Sequence, residues 1–411
     1  MSYYLTLFLF LFYHSIKYEF MYKEKRNWKK FIIFMIIFLF AFSYQMGTDW
    51  LNYQRFYEYD IPNINLSNLF SNSQFVFSSE KGFVLLNIIF YNLGFSYELF
   101  TGVVIGSCLF LILNFIEKRS DNFYFSFFLS IVMFLFGYSL EPVLRQLIAL
   151  ALIVTGFKYI EKRCFFKYLL IIILAVQFHL SAFIAIFIYF LEKVKLNKKR
   201  SFFIFIGIYI LILFLFNIFL ELSYIFPKLL KYEHYFFSNH YGLARSRTIL
   251  GEIYHIIIIV IYGYVIFYSY NFSPRKKNYL KNMALFYIII YYFNNMIPIL
   301  YRILDYFIVG FIISLASLKF IRLPNGKIIK LKNRPVSCII IVFFYSLFLL
   351  YFWKESYSTK LNRYRYGEYK NYFVEMTKGT LKNDFYEKSE EYRKNIEILL
   401  NEERKNKKNQ I

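Results

Sequence analysis

The sequence predicts an all-α, polytopic integral membrane protein. Hydrophobic residues make up 58% of the 411-residue chain and charged residues only 18%, and the apolar residues form long uninterrupted runs. Runs of about 20 apolar residues match the length that a helix needs to cross a bilayer. The formal net charge of +23 comes from short blocks of lysine and arginine between these runs. Such blocks are typical of cytoplasmic loops, so they indicate membrane topology rather than nucleic-acid binding.

The first elements follow from the basic block at residues 17–30, which we predict to be cytoplasmic. The apolar residues 1–16 lack a basic start and a small-residue cleavage site, which favours a retained helix over a cleaved signal peptide. The helix at 31–45 then runs outward to an external loop at 46–96. Within this loop Gly82–Asn92 is apolar but too short for a span, which predicts a re-entrant or interfacial segment.

A segment with basic blocks on both sides, residues 168–191, is predicted to be a hairpin of two short helices with both ends in the cytoplasm. Its break near Gln177–Ser181 places His179 at the apex. Non-helical backbone at membrane depth is tolerated only inside protein or beside a wet cavity. The hairpin therefore implies a cavity.

The remaining spans bring the count to about ten full transmembrane helices plus short re-entrant or hairpin helices, which is compatible with a GT-C-like architecture. These spans are predicted at residues 97–116, 123–139, 143–160, 201–223, 251–270, 283–300, 302–318 and 336–353. We divide the chain into a transmembrane domain at 1–353, with external loops 46–96 and 224–250, and a charged extracytoplasmic tail at 354–411.

Metal and cofactor chemistry is not indicated. Cys108, Cys164 and Cys338 lie far apart and form no CxxC or Cys/His cluster. His234 and His240 lack ligand spacing and a third partner. The sequence has no Walker pattern, Rossmann glycine set, GxSxG or HExxH motif, so nothing predicts nucleotide use.

Polar residues fall in three sets at the predicted outer ends of the helices. The candidates are Asp49, Tyr53 and Glu80; Arg145 and Gln146; and Tyr301, Arg302 and Asp305. A charged or imidazole side chain at membrane depth is costly and therefore indicates function, which adds His179. Two arginines near a cavity suit a lipid-linked anion, because guanidinium groups bind diphosphate oxygens through paired hydrogen bonds.

Purely structural roles remain open for the same side chains. Arg145 could pair with Glu141, four residues earlier on the same helix face, and Arg302 could pair with Asp305, three residues later. His179 could be a hydrogen-bonded core histidine.

In order along the chain, a set of residues resembles the EpsG-type family of bacterial exopolysaccharide polymerases, which are Wzy-like integral membrane proteins. The resemblance covers roughly residues 30–320, and Ser43 stands where many relatives carry an arginine. The matching positions are Tyr44, Gly47, Thr48, Asp49 and Tyr53; Glu80, Gly82, Phe83 and Asn87; Arg145; Phe178, His179, Ser181 and Ala182; and Arg302, Tyr306 and Phe307.

The resemblance implies transfer of a growing glycan from undecaprenyl diphosphate onto the next lipid-linked repeat unit, outside the bacterial cytoplasmic membrane. It implies the undecaprenyl-diphosphate-linked oligosaccharide, membrane lipid, a flippase and a chain-length regulator as partners. Capsule, exopolysaccharide and O-antigen stay open as the product.

Such a transfer needs cations for the leaving diphosphate and a base for the attacking hydroxyl. The hypothesis gives the diphosphate to Arg145 and Arg302 and the proton to Asp49 or His179. Histidine has the better unperturbed pKa for a base, and Asp49 has the safer external location. Substrate contacts are assigned to Tyr53, Glu80, Gln146, Tyr301 and Asp305.

Other activities fit the same layout, among them an O-antigen-ligase-like reaction. A polyprenyl-phosphate-sugar glycosyltransferase would need paired acidic residues in the first external loop, where Asp49, Glu58 and Asp60 form no DxD or DxE pair. A lipid-linked oligosaccharide flippase or transporter would be expected to have pseudo-symmetric halves. The hairpin at 168–191 has no counterpart in the second half of the sequence.

Overall fold

The computed structural model describes most of the chain. Gly47, Glu141 and most of the predicted external loop 224–250, which includes His234 and His240, lie outside the described part. The described residues are 2–21, 28–45, 48–64, 80–135, 144–225, 249–268, 270, 273, 276–294, 297, 300–317, 320–322, 328–330, 345–346, 350, 370–379, 390, 394 and 397–398.

The described chain is predominantly helical. Its α-helices are α1 (Ser2–His14), α2 (Lys29–Ala41), α3 (Thr48–Arg55), α4 (Lys81–Asn92), α5 (Tyr97–Arg119), α6 (Phe123–Ser130), α7 (Leu144–Glu161), α8 (Phe165–Val176), α9 (Ile186–Leu191), α10 (Lys198–Ile225), α11 (Ile249–Tyr268), α12 (Asn278–Asn294), α13 (Tyr301–Leu304), α14 (Ile308–Leu315) and α15 (Tyr372–Thr377). π-Helical turns follow α1, α3 and α6 at Ser15–Met21, Phe56–Asp60 and Ile131–Leu135, and 3₁₀ turns lie at Ile61–Asn63, Leu180–Ala185 and Asp305–Phe307.

One short β-ribbon departs from the expected all-α fold. Strand β1 (Phe320–Arg322) pairs antiparallel with β2 (Ile328–Lys330), with Ile321 opposite Ile329. The sequence signal for it was the Asn-Gly pair at 325–326 between two apolar, partly β-branched runs. Because the segment is strongly basic, it was interpreted as a loop between two spans.

Between α8 and α9 the backbone leaves the α-helical conformation where the sequence predicts a break. α8 ends at Val176, the 3₁₀ turn begins at Leu180, and His179 between them is extended, with φ −155° and ψ 120°. The chain then returns along α8, since the Tyr168 hydroxyl donates a 2.8 Å hydrogen bond to the Ala185 carbonyl oxygen. The hairpin break is confirmed, and its depth in a membrane stays a prediction.

Among the described helices, one is both long and apolar enough to cross a membrane, namely α5 with 23 residues. The predicted span 31–45 ends at Ala41, and the predicted span 302–318 is interrupted by the 3₁₀ turn at Asp305–Phe307. α4 has 12 residues, shorter than a span, as predicted for Gly82–Asn92. The count of about ten spans stays a prediction.

Most buried apolar side chains belong to one continuous core. In it α5 packs against α2 and α7, α7 packs against α8, and α12 lies along α14. The α12–α14 pair is closest at Gly310, where an added Cβ would lie 2.5 Å from the Met283 Cβ and 2.8 Å from the Leu280 carbonyl oxygen. Only a residue without a side chain permits this approach.

The C-terminal ends of α5 and α7 lie together. Arg119 at the end of α5 forms an ion pair with Glu161 at the end of α7, and the Tyr279 hydroxyl donates a 2.9 Å hydrogen bond to the same carboxylate. α5 and α7 therefore run in the same direction, as the predicted topology requires.

Part of the charged tail packs against the end of α2. The Tyr44 N–H donates to the Lys370 carbonyl oxygen and the Tyr372 N–H donates to the Phe42 carbonyl oxygen, both over 2.9 Å. The ring of Phe373 stacks on that of Phe38, with centroids 5.7 Å apart. The sequence pattern of mixed charges did not predict this contact, and the side of the membrane on which the tail lies stays a prediction.

Replacing Gly310 by alanine is expected to lower the thermal unfolding midpoint of the purified protein. The new methyl group would meet backbone at Leu280, which cannot move aside, and such overpacking costs about 1–3 kcal/mol. Gly263→Ala is the matched control, because nothing lies within 4 Å of the Cβ added there. Equal midpoints for the two variants would contradict the close α12–α14 contact.

Candidate active site

One carboxylate, Glu80, connects candidate residues from three separate parts of the chain. It forms an ion pair with Arg145 at the start of α7 and accepts a 3.0 Å hydrogen bond from Nδ1 of His179. The Leu180 backbone N–H points to the same oxygen at 3.4 Å. The side chains of Glu80, Arg145 and His179 are 5%, 23% and 8% exposed, so this polar cluster is largely withdrawn from solvent.

The start of α4 and the break in the hairpin position Glu80 beside His179. The Gly82 N–H donates a 3.0 Å hydrogen bond to the Gln177 carbonyl oxygen. A Cβ at Gly82 would lie 2.8 Å from the Gln177 Cβ, so the two segments approach this closely only with glycine at position 82. Glu80 lies two residues before Gly82, and His179 lies two residues after Gln177. The close approach of the two segments therefore brings Glu80 and His179 within hydrogen-bonding distance.

The hydrogen bond to Glu80 fixes the tautomer of neutral His179. An ionised carboxylate can only accept, so Nδ1 carries the proton and Nε2 keeps its lone pair. Nε2 is buried and has no hydrogen-bond partner among the described residues. A carboxylate that orients an imidazole in this way is the arrangement found behind histidine bases.

The negative charge of the Glu80 carboxylate is stabilised by the groups that donate hydrogen bonds to it. Burial alone would raise its pKa, but the hydrogen bond from His179 and the charge and hydrogen bond of Arg145 together outweigh burial. The pKa of Glu80 is therefore lowered from its usual 4.5, and the carboxylate is ionised at neutral pH.

The short helix α3 adds Asp49 and Tyr53 to the cluster. The Tyr53 hydroxyl accepts a 3.0 Å hydrogen bond from Nε of Arg145, and burial raises the pKa of Tyr53 to about 12, so the phenol stays neutral. Asp49 lies within electrostatic range of both Arg145 and Arg302. Burial raises its pKa from the usual 3.8, although the two arginines and a hydrogen bond with Asn52 oppose the shift.

Gln146 ties the segment around Arg302 to α7. Its side-chain amide donates to the Arg302 backbone carbonyl oxygen over 2.9 Å and to the Asp305 carboxylate over 3.0 Å. Nε of Arg302 donates a 3.2 Å hydrogen bond to the hydroxyl of Tyr301, which is 37% exposed. A further link joins the hairpin to the same region, since the Ser181 and Tyr306 hydroxyls lie 3.1 Å apart.

Of the nine site residues predicted from the sequence, contacts join Glu80, Arg145, His179 and Tyr53 in one group and Gln146, Arg302, Asp305 and Tyr301 in a second, and Asp49 lies within electrostatic range of both arginines. Arg145 forms its ion pair with Glu80, and Glu141, its expected helical neighbour, lies outside the described residues. Sequence reasoning missed Asn52, which hydrogen-bonds with the candidate Asp49, and the available signal was its position three residues after Asp49 on one helix. Whether these side chains have the predicted roles stays a prediction.

No group of three or more His, Cys, Asp or Glu side chains that could hold a metal ion occurs within the described ranges. The polar groups that the site offers are guanidinium, imidazole, carboxylate, amide and phenol. Such a set can bind an anion, orient hydroxyl groups and accept a proton.

These features define a class of protein: a membrane-associated helical protein with a buried Glu–His–Arg cluster and a second arginine beside it. The chain matches the family model of the EpsG family over residues 28–372, and it belongs to that family. The match extends beyond the predicted limit of residue 320 and includes the tail residues that pair with the end of α2. It matches none of the curated proteins and none of the solved structures with which it was compared.

Membership of the EpsG family establishes the broad role of the chain. This role is that of a membrane-associated, exopolysaccharide-related polymerase. The donor, the acceptor and the residues that act on them are the subject of the proposal below.

Gly82→Ala is expected to lower polymer formation by about tenfold or more, because misplacing a base by about 1 Å is enough for a loss of this size. The added methyl group would push α4 away from Gln177 and lengthen the Glu80–His179 hydrogen bond. Polymer yield at matched protein levels measures the effect. Gly207→Ala, where nothing lies within 4 Å of the new Cβ, is the control, and equal yields would contradict the positioning role of Gly82.

The stability of the protein should depend on pH through Glu80. Because its pKa is lowered on folding, its contribution is present above the ordinary value of 4.5 and is lost as the pH falls through the lower folded value. The thermal unfolding midpoints of wild type and Glu80→Gln are measured from about pH 7 to about pH 3. The two midpoints should converge only when the pH falls below 4.5. A difference that stays constant to the lowest pH would show that the Glu80 charge contributes nothing.

Proposed function

We propose that the chain is a multi-pass polymerase of the bacterial cytoplasmic membrane that lengthens a glycan on a polyprenyl diphosphate carrier at the outer side. It transfers the growing glycan from undecaprenyl diphosphate onto the terminal sugar of the next lipid-linked repeat unit. The supporting observation is the cluster at Glu80, because one carboxylate links a guanidinium suited to the leaving anion with an imidazole suited to the entering hydroxyl.

In the transfer step, the acceptor hydroxyl oxygen forms a bond to the anomeric carbon of the donor sugar. The bond from that carbon to the diphosphate oxygen breaks, and undecaprenyl diphosphate leaves with the electron pair. The hydroxyl proton passes to Nε2 of His179. Glu80 accepts from Nδ1, which keeps Nε2 available for the proton and stabilises the imidazolium that forms.

Arg145 and Arg302 bind the diphosphate of the donor. Guanidinium groups remain charged in a low dielectric and bind phosphate oxygens bidentately, so they stabilise the charge that develops on the leaving group. Gln146 supports this assignment, because its hydrogen bonds to the Arg302 carbonyl oxygen and to Asp305 bind the second arginine segment to the helix that carries Arg145.

The other polar side chains contact the sugars or support the two arginines. Tyr301 is 37% exposed and can stack on a sugar, and Tyr53 holds Arg145 in place through its hydroxyl. Asp49 lies in the field of both arginines and reduces their mutual repulsion before the diphosphate enters. Burial of Nε2 means that the acceptor must open the site to reach His179, which keeps water from competing for the donor.

The proposal extends to the surroundings of the enzyme. Residues 1–353 form the transmembrane domain, and the tail at 354–411 lies on the outer side, where residues 370–373 pack against the end of α2 near α3. A flippase supplies the lipid-linked repeat unit, and a chain-length regulator acts on the product.

Alanine at Arg145 is expected to reduce surface polymer to single repeat units, since one leaving-group donor is worth about 100-fold or more in rate. The measurement is the glycan profile of a deletion strain complemented with wild type, Arg145→Ala or His179→Ala, with membrane levels checked. Arg55→Ala, which removes an exposed arginine at the end of α3, is the matched control and should restore normal length.

Two outcomes would contradict the proposal. Normal polymer length with Arg145→Ala would remove the arginine from the leaving-group site. Normal length in the deletion strain, with attachment or export lost instead, would assign the chain to ligation or transport. Asp49→Asn separates the two candidate bases. A greater loss of polymer length with Asp49→Asn than with His179→Ala would identify Asp49 as the base.

A further inference from the structure

A groove between α5 and α7 lies at the opposite end of these helices from the candidate active site. It has a volume of about 390 Å³. Lys158 follows Arg145 by 13 residues on α7, which places the groove about 20 Å along the helix from the Glu80 cluster at ~1.5 Å per residue. Its lining residues are Leu111, Asn114, Phe115, Lys118, Arg119, Val154, Thr155 and Lys158. None of them belongs to the site described above.

The groove changes from apolar to charged along its length. On α5, Leu111, Asn114, Phe115 and Lys118 recur at helical spacing, so they lie on one face, with two apolar residues and one amide preceding the cation. On α7, Thr155 precedes Lys158 by one turn and repeats the order from polar to cationic. Because α5 and α7 run in the same direction, the two gradients are parallel.

Two cations at the charged end have no carboxylate partner within the part of the chain that the structure describes. Lys118 and Lys158 are exposed, whereas their neighbour Arg119 is paired with Glu161. Lys158 contacts the Tyr159 ring, with its Nζ 5.0 Å from the centroid. Two like charges beside one groove are best compensated by an anion bound between them.

Among the helices that the structure describes, α5 is also the one that is long and apolar enough to cross a membrane. Lys118 lies in its last turn, at the depth of the lipid head groups in a helix that spans the bilayer. Phe115 and Leu111, one and two turns earlier, lie at the depth of the acyl chains, and Leu111 is 38% exposed. The groove therefore opens where a lipid with its head group at the depth of Lys118 would enter it.

We propose that this groove binds one anionic glycerophospholipid of the cytoplasmic leaflet. Its phosphate lies between Lys118 and Lys158, its ester groups lie beside Asn114 and Thr155, and one acyl chain follows Leu111 and Phe115. A zwitterionic lipid binds less well, because its own cation competes with the lysines for the phosphate. The bound lipid bridges α5 and α7 at the end where Arg119 and Glu161 already pair.

The test is a titration of the detergent-solubilised, full-length chain with phosphatidylglycerol and with phosphatidylcholine, followed by native mass spectrometry. The groove variant is Lys118→Gln with Lys158→Gln. The control is Lys162→Gln with Lys167→Gln, which removes the same charge from exposed positions just after α7 and in the first turn of α8. Wild type is expected to prefer phosphatidylglycerol, and the groove variant to lose about tenfold or more in affinity, because each lysine near a lipid phosphate contributes about fivefold.

The control pair should stay within about twofold of wild type. The variant Lys118→Arg with Lys158→Arg keeps both charges and should retain lipid binding. An unchanged melting midpoint of the groove variant would show that its weaker binding comes from the lost charges and not from misfolding. Equal losses in groove and control pairs, or equal binding of the two lipids, would overturn the proposal. Displacement of the lipid by equimolar glycerol 3-phosphate would also overturn it, because the groove would then be a site for free phosphate rather than for a lipid.

Discussion

The buried carboxylate of Glu80 is the interaction on which the candidate site depends. Removing a carboxylate from water costs several kcal/mol unless it is paired and hydrogen-bonded. Here Arg145, His179 and the Leu180 N–H all point to it. If any of these donors were absent, the remaining charge would be poorly compensated, so α4, α7 and the hairpin must lie together for the fold to be stable.

This constraint explains how a polar candidate site can form inside an otherwise apolar helical core. The arginine is held in position by Tyr53 and Glu80, and the imidazole is held in one tautomer, before any substrate arrives. Such preorganisation lowers the cost of rearrangement during the transfer. Helix α7 carries Arg145 at its first turn and Lys158 near its last, so it connects the candidate site with the proposed lipid groove at the other end.

The sequence predicted the local features of the backbone better than it predicted the partners of the candidate site residues. The break before Leu180 was visible from the basic blocks on both sides of one apolar run, and the short α4 from its length. The partner of Arg145 was not visible, because Glu80 lies 65 residues away and the local candidate, Glu141, is on the same helix face. Pattern reasoning finds neighbours three or four residues apart, whereas tertiary pairs depend on how the helices pack.

The contact between the tail and α2 was hidden for the same reason. The mixed charges beyond Trp353 predict a solvated segment, but Phe373 and Tyr372 attach residues 370–377 to the end of α2 through ring stacking and backbone hydrogen bonds. The family match reaches residue 372 and includes the first part of this contact. The short apolar run Tyr372–Val374 within a polar segment was a local signal for this contact.

A double-mutant cycle on Glu80 and His179 tests most directly whether the carboxylate and the imidazole act as one unit. Initial rates of polymer formation from purified lipid-linked repeat unit would be compared for wild type, Glu80→Gln, His179→Gln and the double variant. If Glu80 acts through His179, the double variant should lose about as much as His179→Gln alone, a coupling of about 1–3 kcal/mol. Losses that simply add would contradict the proposal, because the two side chains would then act independently.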